Sequence, residues 1–284
     1  MNEDIATIAK TTAILKQYDL YPNKGFGQNF IIEPKIVTKI AQASYIDEHT
    51  AVIEIGPGIG ALTQQLAKLA KKVLAFEIDK KLITVLDDTL NGYDNVTIIN
   101  QDFLLCDLKY YYQALIKEVD KVVITANLPY YITTAIIFKI IESDIDIEYM
   151  TLMVQKEMAE RFMAKANTKD YNALSVILQY QYEITTVMKV SSNVFIPKPA
   201  VESIVVQFKK RIQKDKIDQS IFFTLIKACF SQRRKTIYNN LKAYYNDESL
   251  VLALLAKTGI DKQRRAESLV LNDFIRLYQV QYED

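Results

Sequence analysis

The 284-residue chain has one histidine, His49, and two cysteines, Cys106 and Cys229. A lone imidazole excludes the His-rich ligand sets of metallohydrolases and gives a Ser-His-Asp site little to draw on. The thiols lie far apart with no Cys or His beside them, so neither a disulfide framework nor a zinc site is indicated, and no metal is expected. No apolar run approaches the roughly 18 residues that a membrane span requires. Met1-Asn2-Glu3-Asp4 carries acids where a secretory leader carries bases, and no apolar stretch follows, so the chain is expected to be cytoplasmic; a monomer is the expected state. With 50% hydrophobic and 24% charged residues the composition excludes a disordered or collagen-like chain. At about 150 residues per domain, the length suits one large domain plus a small one.

The net charge of +1 conceals an asymmetry. Residues 1–208 hold 20 Lys+Arg against 25 Asp+Glu, whereas residues 209–284 hold 15 against 9. A basic tail on an acidic body points toward a polyanion. The first two hundred residues alternate β-branched runs with helical periods, which predicts an α/β fold with a mainly parallel sheet. Strands are expected at 51–55, 72–77, 96–100, 121–126 and 149–154, then 183–190 and 202–208. Crossover helices are expected near 59–70, 80–90, 110–118 and 134–142. Beyond Lys209-Lys210-Arg211 the β signal stops. Phe222, Ile226, Phe230, Ile237 and Leu241 predict an apolar helical stripe opposite Lys227, Arg234 and Lys235. The domain boundary is therefore read as 1–208 followed by 209–284.

Ligands of open α/β sheets bind beyond the carboxyl ends of the strands. There, Glu54-Ile55-Gly56-Pro57-Gly58-Ile59-Gly60 joins the first predicted strand to a helix, and Gly56 and Gly58 allow close backbone approach to a ligand. With Ala61 as its last member the turn also fits the dinucleotide pattern G-x-G-x-x-G/A, so NAD stays open at this point. Glu77, with Ile78 after it, ends the next strand where an acid accepts the two hydroxyls of an adenosine ribose. Asp102 ends the third, placed to accept from an adenine amine with Phe103 beside the ring, or simply to cap the next helix. The fourth strand runs into Asn127-Leu128-Pro129-Tyr130.

That tetrapeptide resembles the motif of S-adenosylmethionine-dependent N6-adenine methyltransferases. An exocyclic amine delocalised into a purine is a poor nucleophile. The Asn127 side-chain oxygen and the carbonyl of Leu128 or Pro129 can accept its two N–H bonds and stabilise the developing positive charge, while Tyr130 offers a stacking face. Gly27-Gln28-Asn29-Phe30, Asn127 to Thr134, Met153 to Glu157, Phe195 to Ser203, and Phe230-Ser231-Gln232-Arg233-Arg234-Lys235 with Asn239-Asn240-Leu241 together resemble the ribosomal RNA adenine dimethyltransferase family, and most of all its small-subunit branch. The match starts at about Phe26.

The resemblance implies a Rossmann-like methyltransferase domain with a seven-stranded sheet, a small helical RNA-binding domain, S-adenosylmethionine as cofactor and 16S rRNA of the small ribosomal subunit as partner. It implies a cofactor pocket lined by Asn29, Ile31, Gly56, Gly58, Glu77, Ile78, Asp102, Phe103 and Asn127, with Phe195 closing on the far face of the target adenine opposite Tyr130. Lys227, Arg233, Arg234 and Lys235 are the expected phosphate contacts, on a helix. Competing readings are a large-subunit rRNA methyltransferase of the resistance type, a DNA adenine methyltransferase, and a ribosome-assembly factor without chemistry. An NAD-dependent oxidoreductase would lack an evident hydride-transfer acid or base.

Overall fold

The computed structural model describes residues 3–21, 27–212 and 217–282; Phe26, where the resemblance begins, lies outside them. The strands are β1 (Phe30–Ile31), β2 (Thr50–Ile55), β3 (Lys72–Glu77), β4 (Val96–Asn100), β5 (Lys121–Asn127), β6 (Tyr149–Gln155), β7 (Tyr182–Val190), β8 (Phe195–Ile196) and β9 (Ser203–Lys210). Seven of them form one sheet in the order β4-β3-β2-β5-β6-β9-β7. The pairings from β4 across to β6 are parallel, and β9 then runs antiparallel to β6, from Tyr149↔Lys209 to Gln155↔Ser203. This is the α/β, mainly parallel sheet that the alternation predicted, with the seven strands and Rossmann-like order that the resemblance implies. Every residue of β2 from Thr50 to Ile55 is buried, the pattern of a strand covered on both faces. Edge strand β4 is only partly covered.

The helices form close to the predicted stretches, and their caps explain the offsets. The helix after β2 starts at Ala61, because Gly60 before it is left-handed at φ 90°; a Cβ there would meet Leu90 Cδ2 at 3.1 Å. Asp79 caps Lys80–Thr89 by accepting from Lys81 N at 3.0 Å. Asp107 accepts from Tyr110 N at 3.0 Å, which moves the start of the next helix back to Leu108.

Two compact units emerge, Met1–Lys156 with Thr185–Lys209, and Glu157–Ile184 with Lys210–Asp284. The first holds the core that includes Phe30, Ile31, Val52, Val123, Met153 and Val205. The second corrects the expected division at 208/209, since residues 157–184 group with the C-terminal helices. Helix Ala173–Gln181, capped by Asn172 and Ser175 in reciprocal hydrogen bonds, buries Leu174, Val176, Ile177, Leu178 and Tyr180. The Tyr180 ring lies edge-on to Phe222 at 4.8 Å, and Tyr171 to Phe230 at 6.0 Å. Apolar periodicity announces such a helix but not which core receives it. Among the described residues no helix is long and apolar enough to cross a membrane.

Candidate active site

The sheet order reverses between β2 and β5: the chain steps outward through β3 and β4 on one side, then returns to β5 on the other. A crevice at such a switch point is the expected ligand site. The cleft found there spans about 1200 Å³ of atom-free space, the open solvent at its mouth included. Its wall includes Asn29, Ile31, Gly56, Gly58, Glu77, Ile78, Asp102, Phe103, Asn127, Leu128, Pro129 and Tyr130. These residues come from five separate stretches of sequence, and each strand end contributes one part.

Glu77 is 5% exposed, and its two oxygens accept from Gly58 N at 3.3 Å and Asp79 N at 2.9 Å. Burial pushes its carboxyl up to about 7, with Asp79 adding repulsion and the two N–H donors pulling the other way. Gly58 is left-handed at φ 62°, which turns its N–H toward this carboxylate. Asp102 caps the turn 103–105, its Oδ1 accepting from Leu104 N at 2.8 Å, and it also lines the cleft. Phe103 is buried edge-on against Phe76 at 5.5 Å.

Asn127 ends β5, and its Nδ2 donates to the Asn29 carbonyl at 3.4 Å. The donor end of the amide is thus turned to segment 27–31, which leaves Oδ1 as the acceptor for a ligand. Asn29 is held in turn by its own Nδ2 donating to Gly27 O at 2.9 Å, and Gln28 by donating to Asp79 Oδ2 at 2.9 Å. The sequence left open whether the Leu128 or the Pro129 carbonyl would join Asn127. The Pro129 carbonyl already accepts from Ile132 N at 3.3 Å and Thr133 Oγ1 at 3.1 Å. The Leu128 carbonyl is therefore the one left for an amine.

Phe195 stands apart from the expectation. It is 3% exposed, does not line the cleft, and belongs to the core that holds Phe30 and Ile31. Its place is set by the β1–β8 pairing, Ile31↔Phe195 and Phe30↔Ile196. Two-residue strands carry too little periodicity to be read from sequence, so this pairing was invisible there. In this arrangement Phe195 backs a cleft residue instead of forming the cleft's second aromatic wall.

Glu54 went without a role in the sequence reading. It lines the cleft, is 1% exposed, and its Oε2 has no hydrogen-bond partner among the described residues. Burial raises its carboxyl to about 8; the nearby Thr63 hydroxyl, short of hydrogen-bond geometry, softens the effect and Glu77 adds to it. The signal was legible as an acid inside the apolar run of β2, directly before the glycines. Three acids, Glu54, Glu77 and Asp102, thus line one cleft, a set of acceptors that fits a cofactor carrying ribose hydroxyls, an adenine amine and positive charge. No cluster of His, Cys, Asp and Glu among the described residues is arranged to hold a metal ion.

The basic candidates need a correction. Arg233, Arg234 and Lys235 were expected on a helix, but they occupy the turn between helices Gln219–Cys229 and Ile237–Tyr245. Asn240 holds that turn, with Nδ2 donating to Cys229 O at 2.6 Å and Gln232 O at 3.3 Å while its Oδ1 accepts from Ser231 Oγ at 3.3 Å. Arg233 is committed within its unit, through Nε to Glu267 at 3.1 Å and Nη2 to the Lys169 carbonyl at 2.5 Å. Lys227, on the preceding helix, is exposed, as are Arg234 and Lys235.

Comparison with known proteins agrees with this geometry. The sequence model of the family described as ribosomal RNA adenine dimethylase matches residues 21–282. The ribosomal RNA small subunit methyltransferase A of Staphylococcus epidermidis (strain RP62A) is 47% identical over 285 residues, covering 98% of this chain and 96% of the relative. Among solved structures, a dimethyladenosine transferase from Plasmodium falciparum superimposes with a TM-score of 0.74 at 28% identity, covering 89% of this chain and 97% of that one. The 23S rRNA methyltransferase ErmE does so with a TM-score of 0.65 at 26% identity, covering 88% and 98%.

Proposed function

Since the chain belongs to the ribosomal RNA adenine dimethylase family, we propose that it is a 16S rRNA (adenine-N6,N6)-dimethyltransferase, acting as a cytoplasmic monomer on two adjacent adenosines in a loop near the 3′ end of small-subunit rRNA. The observation that carries this reading is the pair of acceptors at the end of β5, Asn127 Oδ1 and the Leu128 carbonyl, in a cleft whose other end holds Glu77 and Asp102. S-adenosylmethionine, when bound, supplies a methyl group on a sulfonium for direct displacement. Glu77 accepts the ribose hydroxyls and Asp102 the adenine amine of that cofactor. Asn127 and Leu128 hold the target amine by its two N–H groups, so that its lone pair leaves the purine plane and the positive charge developing on nitrogen is stabilised. Neither acceptor is a strong base, so the surplus proton passes to water after transfer. The target base is extruded from its RNA stack and laid against Tyr130. A second transfer requires the once-methylated amine to turn and rebind at the same two acceptors.

Incubation with tritiated S-adenosylmethionine and unmethylated small subunits, large subunits or DNA, followed by nucleoside analysis, tests the proposal. Label in N6,N6-dimethyladenosine from small subunits alone is the expected result. Label only in large subunits would move the chain to the resistance branch, which the likeness to ErmE keeps in view. No label at all would favour an assembly factor without chemistry.

For RNA binding, the paired state of Arg233 separates it from its neighbours. Arg234→Glu with Lys235→Glu is expected to weaken binding to small subunits at all sequences alike and to lower the log-log salt slope by roughly one for each phosphate that is no longer neutralised. Filter binding across a salt series checks this, and an unaltered slope would put the phosphate-binding surface elsewhere.

A further inference from the structure

We propose that Ser203 is a positioning residue for methyl transfer, holding the ring of Tyr130 where the target adenine stacks; this rests on the functional reading above. The Tyr130 hydroxyl and Ser203 Oγ lie 2.7 Å apart and share one hydrogen bond, in which either can donate. Ser203 is completely buried and does not line the cleft, whereas Tyr130 does. Stacking on a base needs only an aromatic face, which phenylalanine would supply. The hydroxyl is an extra polar group in a largely buried place, and such a group is costly unless it is paired. Ser203 supplies that partner.

The backbone explains why this serine is in reach. β5 ends with Asn127 opposite Met153 of β6, and the Leu128 N–H continues the ladder to the Met153 carbonyl at 3.0 Å. Two residues further along β6, Gln155 pairs with Ser203 at the start of antiparallel β9. Ser203 therefore sits at the edge of the sheet where the cleft opens, one strand beyond Asn127's neighbour. A phenol oxygen lies on the ring's own axis, so the bond does not stop the ring from flipping. It pins the far tip of the ring. The near end follows Pro129, whose φ of −59° is fixed by its own ring. Held at both ends, the axis of the ring keeps a fixed place beside the Asn127 and Leu128 acceptors, and a misplacement of about 1 Å there costs on the order of 10²-fold in rate. Ser203 touches neither reactant; it acts through Tyr130.

The test compares wild type, Ser203→Ala, Ser203→Thr, Tyr130→Phe and the double variant Ser203→Ala with Tyr130→Phe. Single-turnover methylation of unmethylated small subunits and calorimetric affinity for S-adenosylmethionine are measured for each. Expected are about tenfold slower methylation in Ser203→Ala and Tyr130→Phe alike, no further loss in the double variant, recovery in Ser203→Thr, and cofactor affinity within twofold of wild type throughout. Wild-type rates in both single variants, effects that multiply in the double variant, or a parallel fall in cofactor affinity would each overturn the proposal. Should Ser203→Ala fail to fold, Tyr130→Phe removes only the phenolic oxygen and decides alone, with an unchanged rate counting against Ser203. A wild-type protein that methylates no RNA defeats the functional reading itself, an outcome separate from wild-type turnover with an indifferent Ser203.

Discussion

Asn127→Ala is expected to lower the rate of methyl transfer to small-subunit RNA by about 10²–10³-fold, the range found when one preorganised group that stabilises transition-state charge is removed. Affinity for S-adenosylmethionine should change by only a few fold, because Glu77 and Asp102, the residues proposed for its ribose and adenine, lie at the end of β3 and just past β4. The asymmetry follows from where the charge appears. A target amine in its ground state is nearly neutral and gains little from Oδ1; once the new N–C bond forms, its nitrogen is cationic and its N–H bonds polarise. Asn127→Asp keeps an acceptor but loses the Nδ2 donor that ties the side chain to the Asn29 carbonyl, so it should fall between wild type and alanine in rate while loosening segment 27–31. Single-turnover measurements with nucleoside analysis, beside calorimetry of the cofactor, separate the two effects. Methylation at the wild-type rate in Asn127→Ala would remove this residue from the chemistry.

Much of this site was legible because parallel sheets announce themselves. Largely apolar runs such as Val52–Ile55 and Val122–Ala126 are buried throughout, and their carboxyl ends lead into the Gly56 turn and Asn127. The strand ends therefore mark out the cleft along the sequence itself. Three features escaped, the first two because they depend on contacts remote in sequence and the third because a local cap interrupts a helical stretch. β1 and β8 are two residues long and define each other only by contact, which took Phe195 out of the cleft. Helix Ala173–Gln181 is apolar enough for either core, and only its packing against Phe222 assigns it. The turn carrying Arg233 reads as helix because its flanks are helical; Thr236, whose Oγ1 accepts from Asn239 N at 3.3 Å, starts a new helix there.

Cofactor affinity is expected to rise with pH through neutrality, and Glu77 is the reason. An ionised carboxylate accepts strongly from two hydroxyls, a protonated one does so with a single oxygen and less charge. With the carboxyl held near 7 before ligand arrives, about a tenth of the protein is ionised at pH 6 and nine tenths at pH 8, so the dissociation constant should tighten roughly tenfold across that interval. Glu77→Gln should weaken binding by about 10–100-fold, the loss of one or two charge-assisted hydrogen bonds, and flatten the pH dependence. The ligand-free protein should show the opposite trend. Because burial raises the carboxyls of Glu54 and Glu77 from 4.5 to about 8 and about 7, the folded state binds more protons than the unfolded one between pH 4.5 and 8. Its stability therefore falls as pH rises through that window. Positive charge delivered by the cofactor beside the two acids favours their ionised forms, so saturating S-adenosylmethionine should shrink the fall and release protons on binding. Calorimetry in buffers of different ionisation enthalpy reads the proton release directly. Affinity independent of pH from 6 to 8, with no protons released, would mean that Glu77 is already ionised in the empty cleft and that its burial is offset by groups other than the Gly58 and Asp79 N–H donors.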